Sequence, residues 1–501
     1  MNPVTRSTLA AALAALLALG FASTEAKAQQ NPAAVPMHTH YRVVFIGSLA
    51  GPSNHFPIYG AHILNNDGSF VGWADVGLPD PYPDNCWDSD ECIVAHAFFW
   101  KNGRIFDLGS LADGYSSDVN WMSPGGLISG ESQTGQIDPD IGWTMHGTLW
   151  VHGHLIDLGT LEGGPTSLTT SVNDFGEVSG FALNTIPDPY SMFGGNQTRA
   201  YRWKNGTMMD LGTLGGPDAM AMRINQRGQI AGNSYINYDP SDACVLRTGG
   251  FFWENGVMTD VGGFGGTCTT VGDMNERGQI VGGSFLAGDQ AQHAFLWQRG
   301  KLTDLGTLGG NFASALRVND VGDVVGFQSL RTDDAVVHAT LWTRGRILDL
   351  GALAPGGCSY ASSVNSRLQV VGINSSDCGF GDDSNRAVIS EGAGQIVDLN
   401  SLIPPNSGVQ LLNASVINEL GEIVAVGRFA DGRHSPVLLV PCDSGPQTPV
   451  ASCSNIGAPP SARLMAPLQT RPAASPKMYN ISPWLDGKIL FGPMGRLPRK
   501  R

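Results

Sequence analysis

His293-Ala294-Phe295-Leu296-Trp297, a turn at Arg299-Gly300, Asp304-Leu305-Gly306-Thr307-Leu308-Gly309-Gly310, and then Val318-Asn319-Asp320-Val321-Gly322-Asp323-Val324-Val325-Gly326 make up a pattern that recurs eight times between Tyr41 and Val440. The period is roughly 44 to 55 residues, and every copy carries several short apolar runs. A repeat of that length means sheet units that bury their faces against their neighbours. Residues common to all copies are therefore structural, and function is to be sought where the copies differ.

Each unit yields four short strands. The first ends at an Asn: Asn65, Asn120, Asn173, Asn225, Asn275, Asn319, Asn365 or Asn418. In most copies a Gly follows three residues later, as at Gly176 and Gly228. An Asn opening a turn bonds its own backbone, and Gly supplies the positive φ that closes the hairpin. The second strand is Gln229-Ile230-Ala231-Gly232 or its counterpart, and a loop of variable length follows. The third ends at Trp100, Trp150, Trp203, Trp253, Trp297 or Trp342. Tight turns such as Asn102-Gly103 and Asn205-Gly206 lead to a fourth strand ending at Asp107, Asp157, Asp210, Asp304 or Asp349. The recurrent His96, His146, His293, His338 and His434 take one position in the third strand, which is read as a structural hydrogen-bonding role.

Four antiparallel strands per unit describe the blade of a β-propeller. Tyr41 to Leu49 resembles a fourth strand with no unit before it, and Val437 to Val440 a third strand with none after it. The first segment completes the last blade and removes two open sheet edges. The expectation is an all-β, closed β-propeller of eight four-stranded blades over residues 41–440. Seven blades or an open β-solenoid are the alternatives.

The wording also resembles the HAF repeats of extracellular bacterial proteins, through His-Ala-Phe at His96 and His293 and the motifs around Asp304 and Gln279. The resemblance covers about 400 residues. It implies an exported repeat protein and carries no activity with it. Units two, three, four and seven depart from the triplet at His146, Arg199, Gly250 and Arg386.

Export is also read from the N-terminus. Arg6, an apolar stretch from Leu9 to Phe21 and Ala26-Lys27-Ala28 form a signal peptide over 1–28, too short to anchor in a bilayer. A linker spans 29–40, and 441–501 is a basic tail rich in Pro, Ser and Ala. Eight cysteines in an exported chain suggest disulfides, with near neighbours pairing: Cys86 with Cys92, Cys244 with Cys268, Cys358 with Cys378 and Cys442 with Cys453. No cofactor or metal site is expected, since zinc-like cysteine spacing is missing. Net charge is −14, and residues 29–440 alone carry −21. Such an acidic body offers nothing to a phosphate backbone, so nucleic acid is excluded as a partner.

Asymmetry points to a site. Between second and third strands, units one to four insert 23, 15, 18 and 17 residues against 10, 11, 13 and 6 in units five to eight. The four longer insertions each hold an Asp-Pro step, at Asp80, Asp138, Asp188 and Asp239, with Tyr82, Trp87, Trp143, Tyr190 and Tyr238 nearby. These residues are read as a rim of rings and carboxylates for a glycan or surface protein, on a scaffold that is not itself an enzyme. A hydrolase or lyase in the central funnel is the alternative. It requires a cluster of unmatched titratable residues there. A purely structural envelope protein is the third reading.

Overall fold

The computed structural model describes residues 38–51, 53–57, 62–82, 86, 92–112, 114–138, 142–381, 384–442 and 453. From Thr39 onward these residues belong to one compact unit. They form strands and turns, with one 3-10 turn among the described residues at Leu399–Leu402. None of their helices is long and apolar enough to cross a membrane.

The third unit typifies the topology. Ser167–Val172, Val178–Pro187, Asn196–Lys204 and Thr207–Asp210 pair antiparallel in chain order. Six sheets have four strands, and units four and five merge into one eight-stranded sheet through a parallel bridge at Thr248 and Cys268. The fold is therefore all-β and propeller-like. The last sheet contains Val409–Ile417, Ile423–Phe429, His434–Pro441 and the distant Tyr41–Phe45. Tyr41 pairs with Pro441 and Phe45 with Val437. The clasp is shorter than the segment to Leu49 that the sequence suggested.

The clasp strand buries both faces. Tyr41, Val43 and Phe45 pack with Leu411, Ile417 and Leu439, and with Val371 and Ile389 of unit seven. Val44 and Ile46 point the other way, into Phe70 and Phe98 of unit one. Alternation along a strand produces this division. Elsewhere each core is likewise shared across units: Ala200 and Leu211 of unit three pack with Ala221, Ile224, Phe251 and Trp253 of unit four.

The recurrent residues now have reasons. Asn225 Oδ1 accepts from the N–H of Arg227 and of Gln229, which shapes the turn. Its Nδ2 donates to the carbonyl of Asn275 in the next unit at 3.5 Å. Asn275, Asn319 and Asn365 pass the same bond to Asn319, Asn365 and Asn418, and Asn418 donates to Asn65, 353 residues away. Second-strand Gly232 lies where a Cβ would stand 2.1 Å from the Met220 carbonyl and 2.7 Å from the Phe251 ring, so only Gly fits. In units one, two, five and six the recurrent His and Asp are each other's partners. Nδ1 of His96, His146, His293 and His338 lies 3.0, 2.8, 2.7 and 2.8 Å from Asp107, Asp157, Asp304 and Asp349. In unit three Arg199 takes the histidine's place beside Asp210.

One assignment in unit two is corrected. Asn120 does not open a turn. It lies within strand Ser117–Met122, three residues before the equivalent position, which Ser123 fills. Ser123 receives the N–H of Gly126 and donates to Leu127, as Asn173 does with Gly176 and Glu177. Asn65 Nδ2 donates to the Ser123 carbonyl at 3.0 Å, keeping the relay in step.

The cysteines stand as four near-neighbour disulfides: Cys86–Cys92, Cys244–Cys268, Cys358–Cys378 and Cys442–Cys453.

Candidate functional site

The long insertions of units one to four are not loops after a short second strand, as the sequence suggested. The second strands continue, as Phe70–Pro79, Ile128–Asp138, Val178–Pro187 and Ile230–Pro240. Their counterparts in units five to eight have six or seven residues. Every long hairpin contains a register shift beyond the blade body, for example between Gln133 and Ile137. Such a bulge lets a ladder turn away from the sheet and pair again further out.

The Asp-Pro acids have different duties at these tips. Asp80 and Asp188 are buried, and each accepts the N–H two residues on, from Tyr82 and Tyr190, at 2.9 Å. These are turn-forming bonds. Asp239 is exposed and holds Asn237 Nδ2 at 2.7 Å. Asp138 ends its strand half-buried. Among the rings, Tyr82 meets Trp143 at 5.8 Å and Tyr115 at 6.0 Å, a small cluster between units one and two. Tyr190 and Tyr238 are 45% and 59% exposed, open enough to meet a partner. Phe193 and Tyr235, also near the tips, are buried and only pack. Trp87 lies outside the described residues.

Asp188 also faces Asp218, which opens the inner strand of unit four. Asp218 accepts from the N–H of Met192 at 2.5 Å and of Thr198 at 3.0 Å, so it ties the Tyr190 tip to the blade. Its carboxyl is pushed up to about 7, first by burial and then by Asp188. Tyr235 shares the site, and its phenol is raised by burial and by both acids. An unfolded chain releases the Asp218 proton near the ordinary 3.8 whereas the native chain keeps it to about 7. Stability contributed here is thus full at low pH and lost as pH rises through that window. Asp188→Asn keeps the oxygen that serves Tyr190 and supplies an N–H to Asp218. The expected result is an unchanged melting temperature near pH 4 and one a few degrees above the parent near pH 8, read by circular dichroism. A deficit at both pH values would contradict the proton-sharing account.

A second cluster lies in the centre. The inner-strand residue two before each turn position is Trp121, Ser171, Arg223, Asp273, Arg317 and Ser363 in units two to seven. Ser171, Asp273 and Ser363 accept the N–H of Ile224, Val318 and Ile417 in the following unit. Arg223 and Arg317 carry only donors and cannot accept such a bond. Arg223 donates through Nε to Asp273 at 2.9 Å, and its guanidinium stands 4.7 Å from the centre of the Trp121 ring. Units two and four are not adjacent in the chain, so this contact joins inner strands that share no sheet. Opposite lies His62 of unit one, with its ring 5.4 Å from Trp121. Its Nδ1 pairs with the Met122 carbonyl at 2.7 Å, which fixes the tautomer with the proton on Nδ1 and makes Nε2 the basic nitrogen. Burial holds the imidazole below its ordinary 6.5, so it is neutral at pH 7. The Arg317 guanidinium is brought down to about 10 by burial, opposed by Asp273.

At the ends of the inner strands away from the hairpins, the turn residues make a second relay. Gln226 N–H donates to Glu276, Glu276 N–H to Asp320, and Ser366 N–H to Glu419, at 2.9, 3.0 and 3.1 Å. Asp174 serves Gly125 likewise. The Glu276 carboxyl is raised by burial, and Asp320 and Asp174 add to the effect. This run of turns is acidic.

A further pair of acids is structural. Glu131 accepts Asn120 Nδ2 on both oxygens at 2.7 Å and the Thr169 N–H at 2.8 Å. Burial raises both it and Asp118 beside it, and the negative charge of Asp118 raises Glu131 further. Asn233 makes the matching bond to Val271 N–H two units later, which explains a polar residue at this place.

Sequence reasoning named its site residues at the hairpins and offered a central funnel as the alternative without naming a residue for it. A signal was present: at one repeat position the units carry Trp, Arg, Asp and Arg, where Ser would suffice. Taking Asn120 as the turn residue hid Trp121 from that comparison.

No family model and no curated protein matches the chain. Solved structures similar to it include acylaminoacyl peptidase of Pyrococcus horikoshii, with a TM-score of 0.37 and 9% identity over 77% of this chain and 57% of that one. Dipeptidyl peptidase 4 of Porphyromonas gingivalis gives 0.40 and 8% over 69% and 56%. Trypanosoma rangeli sialidase in complex with sialic acid gives 0.30 and 11% over 81% and 58%. The chain thus spans less than two thirds of the length of each of these proteins, and at these scores none lends it a residue or a reaction.

Proposed function

We propose that the chain is an exported, closed β-propeller of eight blades, of the HAF-repeat kind, acting on a glycan in its central channel as a hydrolase or lyase. The carrying observation is the chain of contacts from His62 to Trp121, Trp121 to Arg223 and Arg223 to Asp273, which joins the inner strands of units two and four, not adjacent in the chain, through residues that the other units do not repeat. Closure is supported by the pairing of Tyr41–Phe45 with His434–Pro441 and by the bond from Asn418 to Asn65. Export is supported by the signal-like N-terminus and the four disulfides.

In this reading His62 Nε2 takes a proton from the substrate or from a water, and the neutral form needed is the one burial favours. Trp121 offers a flat face for a sugar ring. The arginines stabilise negative charge as it develops, in a site with little water to screen it. Incubating the full chain with a panel of neutral and acidic polysaccharides and following new reducing ends and unsaturated products tests the reaction class. Release from no member of the panel would refute it.

The exposed Tyr190 and Tyr238 favour a second reading, in which the same face only holds a glycan or surface protein. Binding on a glycan array without turnover would support that reading over the first.

A further inference from the structure

We propose that the extended hairpins of units one to four are the docking surface for the basic C-terminal segment of the same chain, residues 478–501. This contact lies beyond the proposed reaction and stands on other residues. One large apolar side chain comes one or two residues before the acid of each Asp-Pro step: Leu78, Ile137, Ile186 and Tyr238. They are 61%, 58%, 53% and 59% exposed, so the fold gains little from them. A lone exposed apolar residue is ordinary, but these recur at one place in four consecutive units. The hairpins also stand side by side. Tyr82 of the first meets Trp143 of the second at 5.8 Å. Met145 of the second packs with Phe181 and Phe193 of the third and with Met220 of unit four.

Charge selects the occupant. Beyond their register shifts, the described residues of the four hairpins hold Asp80, Asp138, Asp188, Asp239 and Asp242 against one base, Arg247. A matching partner is apolar and cationic. The body of a second copy is not, since residues 29–440 carry −21. Residues 454–501 hold eight bases and one acid, with Tyr479, Trp484, Leu485, Ile489, Leu490 and Phe491 among them. The opposite face fits less well. Its turns expose Phe175, Val321 and Leu420, but Glu276, Asp320 and Glu419 there already accept neighbouring N–H groups. Arg227, Arg277 and Arg367 take the same turn position in other units.

Reach permits the contact. Leu439 pairs with Ile423, so the strand His434–Pro441 ends beside the turns, where Cys442 bonds Cys453. The hairpin tips lie at the far end of strands of up to eleven residues, about 36 Å at the usual rise. Residues 454–477 extend to about 80 Å at most. Tyr190 and Tyr238 stand on the same hairpins, so the docked segment covers rings that a glycan would meet and competes with it.

The test uses the full chain, by the rate of trypsin cutting after Lys488 and Arg496 and by carbodiimide cross-linking of lysine to carboxylate. Lys488 or Lys500 is expected to link to Asp138, Asp239 or Asp242. Cutting of a docked segment tracks the undocked fraction, so Leu78→Ser, Ile137→Ser, Ile186→Ser should speed it about tenfold or more, remove the links and leave the melting temperature unchanged. Added salt should speed it too. The tail variant Ile489→Ser, Leu490→Ser, Phe491→Ser should act alike on cutting after Arg496, and it serves if the hairpin variant does not fold. Phe175→Ser, Val321→Ser, Leu420→Ser on the turn face should change nothing. Cutting unchanged in the hairpin and tail variants, or links confined to Glu276, Asp320 and Glu419, would overturn the proposal. Links that join two chains would give the surface to a second copy's tail and overturn docking within one chain.

Discussion

A chain lacking residues 39–46 is expected not to fold. Tyr41, Val43, Val44, Phe45 and Ile46 are all buried, and each contributes roughly 1.5–3 kcal/mol. Their sum is on the order of 10 kcal/mol, comparable with the whole stability of a typical protein. The deletion also strips the last sheet of its outer strand and opens the edge of His434–Pro441 to association. It removes the Thr39 bonds to Glu391 and the Cys442 N–H bond to His40 as well. The expected circular dichroism shows lost β signal and no cooperative melt, with partial recovery when a peptide of residues 38–49 is added. A truncated chain melting within a few degrees of the parent would mean that the ring does not depend on its clasp.

His62→Gln is expected to reduce turnover by about a hundredfold or more, the usual range for loss of a general base. Gln can still donate toward the Met122 carbonyl, so the fold should lose at most about 1 kcal/mol. The pH profile separates catalysis from packing. A base must be unprotonated, and the His62 pKa is lowered from 6.5 by burial, so the parent's rate should hold as pH falls through 6.5 and drop only below it. The residual rate of the variant should lack that acid limb. A parent profile falling above pH 6.5, or turnover in the variant within twofold, would remove His62 from the proton transfer.

The architecture was largely legible because each unit must solve the same hydrogen-bonding problem. Asn225, Gly228 and Gly232 are demanded by one turn and one close approach, and they recur wherever these do. The incomplete ends announced their pairing for the same reason, and cysteines close in sequence on one face found each other. The hairpins were less legible. Asp-Pro steps and the length of the insertions suggested loops, whereas a bulge lets paired strands continue through them. Asn120 misled because Val-Asn looks the same inside a strand as before a turn, and only the bonds of Ser123 decide between them. The channel cluster was hidden for a geometric reason. His62, Trp121, Arg223 and Asp273 span more than 200 residues and meet only once the units curve around a centre. Rings at the hairpins drew notice because they are adjacent in sequence to an obvious asymmetry. Two of the acids there, Asp80 and Asp188, turned out to shape their own turns.

The central claim is that chemistry resides in the channel while the hairpin rings only hold the chain that enters it. The direct measurement compares kcat and KM on the same polysaccharide for the parent, for His62→Gln and for a Tyr190→Ala, Tyr238→Ala double variant. The account predicts that the channel variant loses kcat with KM little changed, and that the hairpin variant keeps kcat with KM raised about thirtyfold, as two stacked rings at on the order of 1 kcal/mol each would give. A hairpin variant that loses kcat while His62→Gln keeps it would contradict the account and move the site to the rim.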